Sequence, residues 1–319
     1  MSHPIVNDVK GQVRLCGLAP QVAASDAEAA MQVLKALHGK GAALAEIVWT
    51  SSCAADVAMS AGKTFADMMI GAADVNTVEQ ASEAIAAGVS YIATPGMNPE
   101  VIHMCQKQRK PVFPGCATLT EAVQAMELGV DMVRVDPANG SAGKRLVKRI
   151  GEACPQLDVM VVDTLSADEL LDYLDVKCVA ACTGIRFDAA ALQTDPAVWM
   201  EESIAAMLGF GLAHVGINSG SEEEALGQAE AFCALLNWPV RRGNSSIFAG
   251  KIVEFVKNPW TGTHGHIAIG VNDIHRAWWY MERRGIVFDW ENAKYKGSNL
   301  AALYLPYEIG GFSVHLQQR

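Results

Sequence analysis

Residues 78–114 read VEQASEAIAAGVSYIATPGMNPEVIHMCQKQRKPVFP, and this stretch decides the fold class of the first part of the chain. Two segments that favour helix alternate in it with two short apolar segments that favour strand. Gly88 ends the first predicted helix, and Asn98 is a favourable N-cap for the second, which begins with Pro99. Apolar strands that alternate with helices indicate a parallel sheet covered by helices on both faces.

The same strand–loop–helix unit recurs between residues 11 and 184. The predicted strands are Val13–Leu18, Leu44–Trp49, Met68–Ala72, Tyr91–Thr94, Val112–Pro114, Met132–Val135, Val159–Val162 and Cys178–Ala181. The predicted helices are Asp26–Leu37 with Ser25 as its cap, Val78–Ala87, Pro99–Gln108, Leu119–Leu128, Gly143–Ala153 and Ala167–Leu174. Eight strands at this spacing favour a (β/α)8 TIM barrel over the alternative, a doubly wound open sheet.

After Leu192 the pattern changes, and one more predicted helix, Trp199–Leu208, precedes two similar modules. The first module consists of strand Leu212–Asn218, helix Glu222–Leu236 and strands Ser246–Ala249 and Ile252–Val256. The second consists of strand His266–Val271, helix Ile274–Arg284 and strands Leu300–Leu305 and Phe312–Gln317. The recurring order indicates an internal duplication; a generic α+β domain with an antiparallel sheet is the alternative. We therefore predict a barrel over residues 1–207 and an α+β paired-βαβββ domain over residues 208–319.

Charge and composition exclude several partners. The chain has 319 residues and a net charge of −10, and its 25 Lys and Arg residues form no basic run, which argues against nucleic acid. It shows no signal-peptide pattern and no apolar stretch that could span a bilayer, which argues against a membrane partner. The eight cysteines include no C-x-x-C pair and are expected to be reduced thiols. These features predict a soluble cytoplasmic protein.

Short motifs follow the predicted barrel strands, at the end where such barrels carry their functional residues. They are Ala45-Glu46-Ile47, the Gly71 turn, Thr94-Pro95-Gly96 with Asn98-Pro99-Glu100, Pro114-Gly115 with Ala117-Thr118, and Asp136-Pro137-Ala138. In this order and spacing, over about residues 5–205, they resemble the 2-keto-3-deoxy-6-phosphogluconate / 4-hydroxy-2-oxoglutarate aldolases.

The resemblance implies a class I aldolase, in which a strand-six lysine forms an imine with a 2-oxo acid and a strand-two glutamate moves protons. Glu46 occupies the glutamate position, but the lysine position holds Arg134, and a guanidinium does not form an imine. Two other lysines near the rim loops, Lys144 and Lys177, are the alternatives. The substrate-binding positions that the resemblance implies are Thr50, Gly71, Pro95, Gly96, Thr118, Thr183 and Gly184.

Three carboxylates, Asp74, Asp136 and Asp163, follow barrel strands where the related aldolases have mostly neutral residues. Carboxylates that converge repel one another unless a cation or a proton holds them together, so one hypothesis is an Mg²⁺ or Mn²⁺ site in the barrel. A second is that Asp74 and Asp163 are helix caps and Asp136 pairs with Arg134. A third is a pocket that has lost catalysis.

Four side chains occupy matching places in the two carboxy-terminal modules. His214 and His266 lie in the first strands, and Glu254 and His315 lie in the last strands. With His-Val-Gly-Ile, Gly-His-Ile-Ala-Ile and Gly-Gly-Phe-Ser-Val-His-Leu around the histidines, residues 210–319 resemble the vicinal oxygen chelate superfamily, which includes the glyoxalases. The resemblance implies a Zn²⁺, Ni²⁺, Mn²⁺ or Fe²⁺ site formed by the four side chains.

Two functional hypotheses follow. The first is an aldolase-lineage carbon–carbon lyase acting on a small 2-oxo acid, with Glu46 as acid/base and a metal or Arg134 holding the oxo acid. The second is an inactive barrel with a carboxy-terminal module that binds a metal and a small chelating ligand. No nucleotide cofactor is predicted, and the resemblance of the barrel implies a homotrimer.

Overall fold

The structure, a computed structural model, describes residues 6, 8–136, 140–188 and 192–319. Within these residues the chain forms two compact units that divide between Met207 and Leu208. No helix in the described part of the chain is long and apolar enough to cross a membrane.

The first unit alternates short, buried strands with helices. Its strands are β1 (Gln21–Ala23), β2 (Leu44–Val48), β3 (Met69–Ala73), β4 (Tyr91–Thr94), β5 (Val112–Pro114), β6 (Met132–Val135), β7 (Asp158–Val161), β8 (Val179–Cys182) and β9 (Arg186–Asp188). Its helices are α1 (Val9–Cys16), α2 (Ala27–Gly39), α3 (Ala54–Thr64), α4 (Val78–Ala86), α5 (Pro99–Lys107), α6 (Leu119–Glu127), α7 (Gly140–Ala153), α8 (Ala167–Leu174) and α9 (Pro196–Leu208).

All strand pairs in this unit are parallel, and they form a (β/α)8 barrel. The nine strands fill eight positions, because β8 and β9 follow one another along the segment Leu18–Ala23. One sheet runs β5-β4-β3-β2-β1-β9 and the other runs β6-β7-β8. Two parallel bridges join them: Gly115, just after β5, pairs with Arg134 in β6, and Leu18, just before β1, pairs with Cys182 in β8. The predicted barrel is therefore confirmed, and the carboxyl ends of its strands meet at one mouth.

The first predicted strand, Val13–Leu18, is wrong. Val13–Cys16 form the end of α1, which Asp8 caps by accepting a hydrogen bond from the backbone N–H of Gly11 and which Gly17 ends with a φ of 68°. β1 begins instead at Gln21. The predicted cap of α2 is also wrong, since the side chain of Asp26 rather than Ser25 accepts the hydrogen bond from Ala29.

Two elements of the barrel escaped sequence analysis. The N-cap of α3 is Cys53, which makes no side-chain capping hydrogen bond, so the sequence carries no start signal for that helix. β9 is only three residues long, and only its central residue, Phe187, is buried.

Gly115 is required where β5 passes the β4 loop. A Cβ atom there would overlap the backbone carbonyl of Pro95. We expect Gly115→Ala to lower the free energy of unfolding by about 1–3 kcal/mol, because backbone has to move to accommodate the methyl group. The matched control is Gly39→Ala near the end of α2, where a Cβ meets no atom within 4 Å. Urea denaturation followed by circular dichroism compares the two, and equal stability of the two variants would refute this reading of Gly115.

The second unit is a single mixed sheet built from two modules. Its elements are β10 (Gly211–Asn218), α10 (Glu222–Leu236), β11 (Val240–Arg242), β12 (Ser246–Ala249), β13 (Val253–Val256), β14 (Gly265–Val271), α11 (Ile274–Arg283), β15 (Asp289–Lys296), β16 (Asn299–Ile309) and β17 (Phe312–Gln318). The strand order β11-β12-β13-β10-β14-β17-β16-β15 repeats the same arrangement in each module, and the modules meet where β10 pairs antiparallel with β14. The predicted strand–helix–strand modules are thus present.

The sequence did not predict strands β11 and β15. Both are mostly polar and lie at the two edges of the sheet, so neither has the apolar pattern of a buried strand. Helix α10 packs on the sheet of the first module. Its buried residues Ala225, Ala229 and Cys233 form a core cluster with Ile247 and Phe255.

Candidate functional site

The carboxylate of Glu46 lies at the centre of the barrel. It is fully buried in β2, where every residue of the strand is buried. Three neighbouring side chains donate to it: Gln21 Nε2 at 2.8 Å, Tyr91 Oη at 2.9 Å and Arg134 Nη1 at 3.2 Å. These donors come from β1, β4 and β6, so the barrel itself assembles the site.

Arg134 and Glu46 form a buried ion pair. The side chain of Arg134 is 3% exposed and that of Glu46 is 0% exposed. A charge taken out of water is costly unless a partner and further hydrogen bonds compensate it. Glu46 has both, because Gln21 and Tyr91 also donate hydrogen bonds to it.

Tyr91 packs in the same interior and was not among the predicted site residues. Burial, and next the charge of Glu46, raise the pKa of its hydroxyl well above the usual value, so the hydroxyl keeps its proton and donates it to Glu46 in a hydrogen bond. Gly71, predicted to bind substrate, leaves the space for the Tyr91 ring, since a Cβ at this position would overlap it.

A second guanidinium, that of Arg186 in β9, continues this network toward the solvent. Its Nε donates to Gln21 Oε1 at 2.9 Å and its Nη2 donates to Asp74 Oδ2 at 2.8 Å. Because the guanidinium can only donate and the Glu46 carboxylate accepts, the Gln21 amide has one favourable orientation between them. Hydrogen bonds therefore connect Asp74, Arg186, Gln21 and Glu46.

The three predicted barrel carboxylates are placed differently. Asp74 pairs with Arg186. Asp136 is exposed. Desolvation and the negative charges of Asp74 and Asp163 raise the pKa of the Asp136 carboxyl, and the positive charges of Arg134 and Arg186 oppose this rise. In the described part of the chain these carboxylates do not form a set of three ligand atoms within 4.8 Å of one another. The Mg²⁺ or Mn²⁺ site stays a prediction.

The cap hypothesis for Asp74 and Asp163 is wrong. The helices that follow them begin with Thr77 and Ser166, whose hydroxyls accept the capping hydrogen bonds. Asp163 instead lies beside Thr183, whose hydroxyl accepts a hydrogen bond from the backbone N–H of Asp163 at 3.3 Å.

A model of the family described as KDPG and KHG aldolase matches residues 9–199, which is more than half of the chain. The chain belongs to the KDPG and KHG aldolase family. At the level of the family, this membership supports an aldolase-type lyase. The match covers the barrel.

Relatives of this family align with the chain over most of their own length. The 2-dehydro-3-deoxy-phosphogluconate aldolase of Haemophilus influenzae is 29% identical over 55% of this chain and 83% of its own. That of Treponema pallidum is 30% identical over 52% of this chain and 79% of its own.

Solved structures agree on the fold. The 2-keto-3-deoxy-6-phosphogluconate aldolase of Zymomonas mobilis ZM4 has a TM-score of 0.56 at 18% identity, covering 61% of this chain and 94% of its own. The KDPG aldolase of Legionella pneumophila has a TM-score of 0.55 at 23% identity, covering 62% of this chain and 97% of its own.

The remaining predicted substrate positions of this KDPG/KHG aldolase family member lie around the mouth. Thr50 and Pro95 are exposed, and the Gly96 carbonyl accepts a 2.7 Å hydrogen bond from Thr94. Thr118 is exposed and caps α6. Gly184 is buried with a φ of 70°, against Trp199. Their roles in binding stay predictions, and Pro137 and Ala138 lie outside the described residues.

No lysine is among the buried polar residues of the described chain. Lys144 pairs with Asp172 at 2.6 Å with 40% of its side chain exposed, and Lys177 is exposed. Neither alternative lysine therefore lies in the barrel interior with Glu46.

In the second unit, the structure brings the four predicted side chains together. Strands β13, β10, β14 and β17 are neighbours and carry Glu254, His214, His266 and His315 in that order. The Nε2 atoms of His214 and His266 are 3.0 Å apart, and Glu254 Oε2 lies 3.1 Å from the first and 3.4 Å from the second.

His315 completes a group of three imidazoles whose candidate ligand atoms all lie within 4.8 Å of one another. Its Nδ1 lies 3.2 Å from the Leu316 carbonyl, so Nδ1–H donates there and Nε2 keeps a free lone pair. His315 is 4% exposed, and its Nε2 has no hydrogen-bond partner among the described residues.

The surroundings of Glu254 and His315 shift the pKa values of both side chains downward. Burial acts to raise the pKa of Glu254, but hydrogen bonds with His214, His266 and Ser246 outweigh it and hold that pKa well below the usual range. Burial lowers the pKa of His315 to about 4, so its ring is neutral at pH 7. Ligand imidazoles and carboxylates have to be deprotonated.

Small residues make room for the imidazoles. Gly216 lies between Glu254 and His266 in the register of the sheet, and a Cβ on it would overlap the His266 ring. Ala268 lies between His214 and His315 in the same way. In the sequence, each of these small residues stands two positions after a histidine, Gly216 after His214 and Ala268 after His266.

Without metal, the stability of the second unit is expected to fall by about 2 kcal/mol between pH 7 and pH 5 through His315. In this window the unfolded chain protonates His315 below about 6.5, whereas the folded chain does so only near pH 4, so the unfolded state binds more protons and stability rises with pH. Denaturation in EDTA at several values between pH 5 and pH 7 gives the slope of the unfolding free energy against pH. We expect this slope in the unmodified protein and in the control His264→Phe, whose site is exposed, and a flatter slope in His315→Phe. Three identical slopes would contradict it.

Proposed function

We propose that the barrel is a carbon–carbon lyase for a 2-oxo acid that works without an imine. Glu46 is the acid/base, and the Arg134 guanidinium holds the oxo acid. The observation that carries this proposal is the buried contact of 3.2 Å between Arg134 Nη1 and Glu46 Oε1, at the position where the resemblance places the lysine. The absence of lysine among the buried polar residues of the described chain supports it.

The two groups match the needs of a retro-aldol step. Glu46 takes the proton of the substrate hydroxyl while the adjacent carbon–carbon bond breaks, and the electron pair of that bond passes to the 2-oxo acid as an enolate. The fixed positive charge of Arg134 stabilises the enolate oxygen. Return of the proton to the enolate carbon releases the 2-oxo acid and an aldehyde.

Borohydride trapping with pyruvate tests this proposal. The KDPG aldolase of Legionella pneumophila has been captured with pyruvate as a covalent carbinolamine intermediate. Here we expect cleavage of 4-hydroxy-2-oxoglutarate that is lost in Glu46→Gln, with no mass increase after pyruvate and borohydride. Arg134→Lys is the positive control, because it places an amine beside Glu46. A reduced adduct on the unmodified protein would overturn the proposal, and absence of cleavage would favour the inactive-barrel alternative.

We further propose that the second unit is a glyoxalase-like metal module of the vicinal oxygen chelate type. Ligand atoms around a tetrahedral ion with bonds of about 2.0–2.1 Å lie about 3.3 Å apart. The three distances among His214, His266 and Glu254, of 3.0, 3.1 and 3.4 Å, are close to this value. The buried, unpartnered Nε2 of His315 is a further available ligand atom.

Imidazole and carboxylate ligands suit Zn²⁺, Ni²⁺, Mn²⁺ or Fe²⁺. When bound, such an ion would polarise an oxygen of a chelating ligand as a Lewis acid. Elemental analysis of protein purified without chelators, and again after incubation with each ion and dialysis, tests the module. We expect about one equivalent per chain, and no retained ion in any of these preparations would refute the proposal.

A further inference from the structure

Five residues of the barrel lie in one row across neighbouring strands. The register of β9, β1, β2, β3 and β4 places them side by side, in the order Arg186, Gln21, Glu46, Gly71 and Tyr91. Residues at one level of a parallel sheet point to the same face. Because Gly71 has no side chain, the Tyr91 hydroxyl reaches Glu46 across it. The row therefore brings a guanidinium, an amide, a carboxylate and a phenol together.

Gln21 is a buried residue of this row that the proposed lyase chemistry does not use. It is 2% exposed, and both ends of its amide are occupied. Its Nε2 donates to Glu46 Oε2 at 2.8 Å, and its Oε1 accepts from Arg186 Nε at 2.9 Å. In the part of the chain that the structure describes, the Gln21 side chain forms hydrogen bonds only with these two residues. Gln21 is therefore the connection between Arg186 and Glu46.

The direction of the Gln21 amide decides which form of Glu46 the barrel favours. With Nε2 toward Glu46, the amide donates to the carboxylate and stabilises its negative charge. With Oε1 toward Glu46, the amide could accept a hydrogen bond only from the protonated acid. Arg186 excludes this second orientation, because a guanidinium has no acceptor for the amide hydrogens.

Asp74 holds the guanidinium of Arg186 at the half-exposed end of the network. Arg186 Nη2 donates to Asp74 Oδ2 at 2.8 Å, so the guanidinium is fixed at two of its nitrogens. Asp74 has a φ of 57°, a left-handed conformation that is uncommon for a residue other than glycine, and Asn76 Nδ2 donates to its carbonyl at 2.9 Å. Arg186 also acts electrostatically on the Asp136 carboxylate. The turn at Asp74 thus keeps a carboxylate where Arg186 binds it.

Two other side chains act directly on Glu46. Tyr91 Oη and Arg134 Nη1 donate to its Oε1 atom at 2.9 and 3.2 Å. Burial raises the pKa of Tyr91 well above its usual value, and the charges of Glu46 and of Cys16, at the end of α1, act in the same direction. Among the described residues, Oε2 receives a hydrogen bond only from Gln21. The second oxygen of the carboxylate therefore depends on the amide.

We propose that Gln21 and Arg186 are positioning residues for the acid/base group of the barrel. Arg186 fixes the Gln21 amide with Nε2 toward Glu46, and the amide keeps Glu46 as the carboxylate that accepts the proton of the substrate hydroxyl. Neither residue has to touch the substrate for this role. The inference rests on the proposed lyase function and extends it to two residues that act through Glu46.

The pH profile of 4-hydroxy-2-oxoglutarate cleavage tests this role, because activity falls where Glu46 becomes protonated. Gln21→Met removes a donor to the carboxylate, so the acid limb of kcat/KM should move upward by about 1–2 pH units. Arg186→Met should move the limb in the same direction by about 1 unit. KM should stay within about twofold in both variants. The control Arg149→Met removes an exposed charge on α7 and should leave the limb unchanged.

The double variant Gln21→Met/Arg186→Met separates an effect through the amide from a direct effect of charge. If Arg186 acts through Gln21, the double variant has the acid limb of Gln21→Met. Equal shifts from Arg186→Met in both backgrounds would show that its charge acts directly on Glu46, and would overturn the inference. An unchanged limb in Arg186→Met, or a loss confined to KM, would overturn it as well. The Arg186 side chain is 44% exposed, so this variant keeps the inference falsifiable even if Gln21→Met does not fold.

Infrared spectroscopy distinguishes failure of this inference from failure of the proposed function. The carbonyl stretch of the protonated Glu46 carboxyl, assigned by its absence from Glu46→Gln, gives the pH of protonation without turnover. If the unmodified protein does not cleave the substrate, the lyase proposal fails, and the infrared midpoints still decide whether Gln21 and Arg186 hold Glu46 as a carboxylate. The same midpoint in the unmodified protein, Gln21→Met and Arg186→Met would overturn the inference, whether or not the barrel is active.

Discussion

Replacing Arg134 by methionine is expected to lower the free energy of unfolding by about 3–5 kcal/mol. The Glu46 carboxylate, 0% exposed, would then remain in the barrel interior with no cation beside it. Gln21 and Tyr91 would still donate to it, but neutral donors do not replace the lost charge. Urea denaturation monitored by circular dichroism gives the difference.

The double variant Arg134→Met/Glu46→Gln is the control for this prediction. It removes both charges, so we expect it to recover most of the stability that Arg134→Met loses. The coupling energy between the two positions should be large, because the side chains are in contact. Additive effects of the two single substitutions would show that the ion pair does not stabilise the barrel.

Replacing His266 by alanine is expected to reduce Zn²⁺ affinity on the order of 100-fold. A four-ligand site contributes about 10–16 kcal/mol of binding free energy, so loss of one ligand removes several kcal/mol. Of the proposed ligands, His266 has its Nε2 atom 3.0 Å from that of His214 and 3.4 Å from Glu254 Oε2. Competition with a chromogenic chelator measures the affinity.

His264 provides a matched control two residues earlier. It is exposed and lies outside the cluster, so His264→Ala should leave Zn²⁺ affinity unchanged within about twofold. Saturating Zn²⁺ should also raise the thermal stability of the unmodified protein and of this control, but much less that of His266→Ala. Equal affinities of the two variants would exclude His266 as a ligand.

Most of the barrel could be predicted from the sequence because its strands are short, apolar and buried. β4, β5 and β6 have the predicted bounds, and the Asn98 cap begins α5 as expected. The error at Val13–Leu18 has a physical cause. In so short a segment, apolar residues such as Val13, Leu15 and Cys16 fit a strand or one buried turn of a helix, and periodicity alone does not distinguish the two.

The candidate sites were predicted unequally. Glu46, Arg134 and the four carboxy-terminal side chains were found because each occupies a recognisable strand position. Gln21 was missed although it is a polar residue in an apolar segment, which is a usable signal. Tyr91 and Arg186 carry no such signal, because a tyrosine in a strand is usually core and Arg186 lies in a strand that was not predicted.

The sequence by itself determined the alternation of strands and helices, the two-module second unit and the types of chemical group available. Local periodicity and capping depend on neighbours in the chain, so the sequence expresses them directly. Only the tertiary structure decided which charges meet: Arg134 with Glu46, Asp74 with Arg186, and the imidazoles around Glu254. These contacts join residues from about 40 to more than 100 positions apart, and barrel closure and sheet order set their distances.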